Sequence, residues 1–131
     1  MFIDASALTA ILSEEPEADE LLQRLTKAVD LLTSPLAIWE TTVALARILD
    51  ITPSEAVGAI RHFTALLNIR EIAVTPAETA FAIEAFERYG KGRHPAGLNF
   101  GDCFAYACAK QRATPLLYKG DDFSQTDIAA G

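Results

Sequence analysis

Met1-Phe2-Ile3-Asp4-Ala5-Ser6-Ala7 is an apolar run that ends on an acid and then turns to small residues. The first three residues read as a short strand, and the small residues lead into an amphipathic segment at Ser6–Leu12. Asp4 at that junction has two readings. It caps the helix that follows, offering its carboxylate to free amides, or it faces the crevice at the carboxyl edge of a parallel sheet, where α/β proteins bind ligands. The two are compatible, because a side chain at a helix start also points into that crevice.

The same alternation continues along the chain. Apolar runs at Asp30–Thr33, Ile69–Val74 and Leu116–Tyr118 are separated by helical segments at about Glu17–Ala28, Leu36–Leu49, Pro53–Leu67, Ala77–Tyr89 and Gly101–Arg112. Ser34-Pro35, Thr52-Pro53 and Thr75-Pro76 each set a capping hydroxyl before a proline at a first helical position. Glu55 and Glu78 complete capping boxes with Thr52 and Thr75, so a structural role accounts for both. Strands separated by helix pairs predict an α/β fold, a sandwich whose central parallel sheet of four to five strands is covered on both faces, in one domain over residues 1–131.

Half of the 131 residues are hydrophobic, enough for a core without disulfides. Cys103 and Cys108 lie five apart on one predicted helix, on different faces, and read as buried thiols. With only His62 and His94 available, a zinc site of Cys/His type has no support. The chain has no basic-then-apolar leader and no apolar stretch of membrane-spanning length, which predicts a cytoplasmic protein with no membrane partner. The net charge of −7 argues against broad electrostatic binding of nucleic acid. Chemistry on a polyanion would need part of that acid gathered at a site neutralised by divalent cations.

Several acids stand where acids are uncommon. Glu40 lies past the first turn of Leu36–Leu49, a segment apolar around most of its circumference and so expected to be largely buried. Arg47 is a possible ion-pair partner, but two turns away, about 10 Å of rise. Asp102 suits the first turn of its helix through the dipole. It also shares a face with Ala105, Tyr106 and Ala109, which turns it inward. Asp121 and Asp122 follow the last apolar run through Gly120, as turn residues or as further acids at a strand end. Acids converging from these places would repel one another unless protonated or cation-bound. All-oxygen donors favour Mg²⁺ or Mn²⁺, a setting suited to phosphodiester hydrolysis. The loop Gly90–Phe100 gathers Lys91, Arg93 and His94, either as a solvated linker or as a functional segment.

Taken in order, Met1–Ala7, Glu40 on its apolar helix, Leu98-Asn99-Phe100-Gly101-Asp102-Cys103-Phe104-Ala105-Tyr106-Ala107 and Leu116-Leu117-Tyr118-Lys119-Gly120-Asp121-Asp122-Phe123 resemble the signature blocks of VapC-type toxins. These are the PIN-domain ribonucleases of bacterial toxin–antitoxin pairs. The resemblance spans essentially the whole chain. It implies a three-layer α/β/α sandwich, Mg²⁺- or Mn²⁺-dependent endonucleolytic cleavage of RNA, and homodimers inhibited by an antitoxin. That partner would send a basic segment into the acidic site and, in a larger assembly, bind DNA. Asp4 and Asp102 match the acids most directly tied to the metal, Glu40 the third, and Ser6 the small hydroxyl residue that supports them. Asn99 is a further supporting residue of the same block, and Asp121 or Asp122 completes the cluster. Lys91, Arg93, Lys110, Arg112 and Lys119 are the candidates for holding RNA.

Two other readings compete. A phosphatase of the haloacid dehalogenase type needs a second Asp two residues after the first, where this chain has Ser6. A non-catalytic acidic module that sequesters a basic partner would need no metal.

Overall fold

A computed structural model describes all 131 residues. Its elements run β1 (Phe2–Ile3), α1 (Ala5–Leu12), α2 (Ala18–Thr26), β2 (Leu32–Thr33), α3 (Pro35–Ile48), α4 (Pro53–Leu66), β3 (Arg70–Glu71), α5 (Pro76–Tyr89), α6 (Phe100–Gln111) and β4 (Leu116–Leu117), closed by a 3₁₀ turn at Phe123–Gln125. Each helix pair therefore separates two strands, as the sequence pattern requires. The four strands form one sheet in the order β3-β2-β1-β4, every neighbouring pair parallel. A bridge between Leu116 and Ala130 extends the pairing beyond β4. Chain direction across the sheet reverses between β1 and β4, the switch point at which open α/β sheets form their crevice.

Strand alternation assigns the two faces. Phe2, Leu32 and Leu116 pack with Ala82, Ala85 and Tyr106 of α5 and α6. Ile3 and Leu117 pack with Leu8, Leu21 and Leu25 of α1 and α2. The result is three layers, helices on each side of the sheet. Helix α3 touches both α1 and α6 and carries α4, so it spans the carboxyl end of the sheet. No helix is long and apolar enough to cross a membrane.

Two expectations need correction, and one open reading is narrowed. The run at Ile69–Val74 pairs only through Arg70–Glu71, an exposed edge strand with one neighbour. Helix α3 is not largely buried: Ala37, Thr41 and Leu45 are, while Trp39, Val43 and Ile48 are exposed. No element covers that side of it, and apolar composition alone cannot say which faces find a neighbour. The 90–100 loop is more than a solvated linker. A parallel bridge joins Gly90 to Leu98, and Ala96 and Leu98 are buried.

Candidate active site

Asp4 ends β1 in extended conformation and caps α1, accepting from the Ser6 amide at 2.9 Å and the Ser6 hydroxyl at 2.5 Å on the same oxygen, Oδ2. It is 3% exposed. Burial pushes its carboxyl above the usual carboxylate range, against the pull of the Ser6 hydrogen bonds. Ser6 Oγ also accepts the Lys119 amide at 3.0 Å, which ties the segment after β4 to the Asp4 carboxylate.

Asp102 is the third residue of α6 and forms a capping box that the sequence reading had not assigned. Asn99 Oδ1 accepts from the Asp102 amide at 3.0 Å, and Asp102 Oδ2 accepts from the Asn99 amide at 2.8 Å. Burial raises the Asp102 carboxyl to about 6; the Asn99 bond opposes this, and the charges of Asp4 and Asp122 add to it. Glu40 is half-buried on α3, and the suggested pairing with Arg47 does not form. Burial first, then the charges of Asp4 and Asp102, raise its carboxyl to about 7, and no hydrogen bond or cation offsets them.

These three acids face one open cleft of about 530 Å³, lined also by Ser6, Asn99 and Lys119 and walled by Trp39, Val43, Arg47 and Ile48 of α3. Asp122 stands outside the lining, but its charge reaches Asp102, and it makes no capping bond to the 3₁₀ turn it opens. Asp121 faces a neighbouring pocket with Glu17, Glu20 and Arg24. Gly120 makes the intervening turn at φ +94°, a conformation L side chains avoid.

No group of three or more His, Cys, Asp or Glu side chains is drawn together as a ready-made metal cage. The donor chemistry nonetheless fits a hydrated divalent cation. Mg²⁺ keeps several waters and takes one or two carboxylates rather than a closed shell. Raised carboxyls at Asp4, Glu40 and Asp102 are the electrostatic state that such an ion relieves. The histidines are elsewhere: His62 is exposed on α4, and His94 Nδ1 accepts from the Ala96 amide within its own loop.

The basic residues divide. Lys119 lines the cleft while pairing with Glu15 and Glu17. Lys91 and Arg93 are exposed outside the lining, with the Arg93 guanidinium 5.2 Å above the Phe86 ring. Lys110 is engaged by Asp127 at 3.1 Å and Arg112 by Glu78 at 2.7 Å. Arg47 and Trp39 were missed as cleft residues. Their spacing, 39-43-47 along one helix face, was the available signal.

Residues 1–129 match the family model described as PIN domain. The chain is 42% identical over 139 residues to a VapC ribonuclease of Rhizobium meliloti, covering 97% of this chain and 98% of the relative. It is 41% identical to a Ribonuclease VapC of Mycolicibacterium smegmatis, covering 99% and 98%, and 39% identical to Ribonuclease VapC30 of Mycobacterium tuberculosis, covering 98% and 96%. Among solved structures it resembles Mycobacterium tuberculosis VapC20, described as a Sarcin-Ricin loop cleaving toxin, with a TM-score of 0.76 over 99% of this chain and 97% of that one. At 20% identity that likeness is one of fold.

Proposed function

The chain belongs to the PIN-domain family of VapC ribonucleases, and from that membership we propose that it is a metal-dependent endoribonuclease, the toxin of a toxin–antitoxin pair. The observation that carries the reading within this molecule is the convergence of Asp4, Glu40 and Asp102, all with raised carboxyls, on one cleft at the sheet's switch point. Asp4 and Asp102 would hold Mg²⁺ or Mn²⁺, with Glu40 as third acid and Asp122 rather than Asp121 beside them. A bound divalent ion supplies Lewis-acid stabilisation of the charge that builds on phosphate oxygens.

The chain's own residues do the rest. Ser6 and the α1 amide fix the Asp4 carboxylate, and the Asn99 box fixes Asp102 through Oδ2, leaving Oδ1 without a hydrogen bond. Glu40, facing the same cleft with no competing hydrogen bond or ion pair, is suited to take the proton of the attacking water. Arg47 and Lys119 line the same cleft and would position the RNA backbone. Lys91 and Arg93 would serve only a longer RNA.

The partner follows from charge. An acidic protein, net −7, with an acidic cleft suits an antitoxin whose basic segment enters it, an arginine pairing with the carboxylates. We place the toxin in the cytoplasm, as a homodimer, and in larger assemblies through DNA bound by the antitoxin.

Antitoxin-free protein is expected to cleave mixed RNAs with Mg²⁺ or Mn²⁺ and to stop in excess chelator. Asp4→Asn and Asp102→Asn are each expected to lower that cleavage at least ~100-fold with an unchanged circular dichroism spectrum. Full activity in both variants, or in chelator, would sink the reading.

A further inference from the structure

Gly101 is the second residue of α6, buried, and ordinary in backbone conformation. Alanine is the better helix former at such a place, so the missing side chain needs a reason. The reason lies across the gap to α3. A methyl group at Gly101 would overlap Glu40 Oε1 and stand 2.5 Å from both the carboxyl carbon and Oε2. Its three nearest neighbours all belong to that one carboxyl group. Gly58, inside α4, is the contrast: a methyl there meets nothing within 4 Å.

We propose that Gly101 is a positioning residue, the seat that lets the Glu40 carboxylate lie against the first turn of α6 beside Asp102. Glu40 has no hydrogen bond and no ion pair to fix it, so shape is the restraint that remains. The obstructed group is the end of a flexible side chain rather than backbone. A methyl group would therefore move the carboxylate and leave the helices packed. The proposal rests on the reading of the cleft as the cleavage site, but its test does not depend on cleavage alone.

The experiment compares wild type, Gly101→Ala, Glu40→Asp and the double variant, with Gly58→Ala as control. Metal-free unfolding and Mn²⁺ binding by calorimetry are followed together with RNA cleavage. Gly101→Ala is expected to melt no lower than wild type while binding Mn²⁺ and cleaving RNA at least tenfold more weakly. Gly58→Ala is expected to behave as wild type in both. Shortening the acid should restore the space, so Glu40→Asp in the Gly101→Ala background is expected to bind Mn²⁺ better than Gly101→Ala alone. Wild-type Mn²⁺ binding in Gly101→Ala, or no recovery in the double variant, overturns the proposal. If Gly101→Ala proves less stable, the loss must vanish with Glu40→Ala; a loss that persists there also overturns it. Mn²⁺ binding without RNA cleavage in wild type would count against the ribonuclease reading and leave the seat to be judged by binding.

Discussion

Glu40 and Asp4 show what the cleft costs before it works. Burial raises both carboxyls, the charges of Asp4 and Asp102 add to it at Glu40, and nothing cationic compensates Glu40. A raised carboxyl lowers stability once the pH exceeds its unfolded value, so neutralising it should help the metal-free fold. Glu40→Gln is expected to gain about 1 kcal/mol at pH 8, discounted for partial exposure, or roughly 3–5 °C in melting temperature. The same variant should lose the added stability that Mn²⁺ gives wild type; a fall in metal-free melting temperature would mean that Glu40 is already compensated. The acids themselves were legible because each broke its local pattern: an acid on an apolar helix, an acid after an apolar strand, an acid on an alanine face. Asp102's capping partnership with Asn99 was equally present in the sequence but lacked the proline that advertised the starts of α3, α4 and α5. Gly101's role was not legible, since only folding places it against a residue sixty-one positions away.

Helix α5 illustrates how one cap reaches beyond its own element. Glu78 closes the Thr75 capping box, as its position predicts, but it is also 1% exposed and receives Arg112 from the end of α6 at 2.7 Å. Burial pushes its carboxyl up, and the bonds from Thr75 and Arg112 together outweigh burial and hold it at about 2. Because the folded value lies below the unfolded one of 4.5, the stabilisation is complete above that value and is lost as pH falls toward 2. The linkage is worth about 2–3 kcal/mol. Glu78→Gln should be less stable than wild type at pH 7 by about that amount, and denaturant titrations should show the gap closing between about pH 5 and pH 2. A gap that stays constant would assign the stabilisation to packing. Helix boundaries came out close to the sequence expectation because proline and hydroxyl caps are local signals. The exposure of α3 did not, because it depends on which neighbours arrive.

The whole molecule carries two apolar surfaces with different settings. Trp39, Val43 and Ile48 wall the carboxylate cleft, within reach of anything that enters it. Ile83, Phe86 and Phe100 instead surround a separate apolar pocket of about 420 Å³ between α5 and α6. Helix α3 spends its exposed apolar face on the cleft. The proposed homodimer is therefore expected to use α5 and α6, and Ile83→Glu should leave a monomer by light scattering while metal-dependent cleavage of short RNAs persists. A wild type that is monomeric at micromolar concentration would refute this. The layered fold was readable as a pattern of strands and helix pairs; its docking faces were not, since they are defined by what the other elements leave uncovered. The sulfurs of Cys103 and Cys108 lie in the α5–α6 face of the core, 4% and 0% exposed, with no disulfide between them. Cys103 borders the apolar pocket, but alkylating reagents can reach Cys108 only when that layer opens, so the rate of Cys108 labelling becomes a built-in clock for opening, one that bound metal or antitoxin should slow.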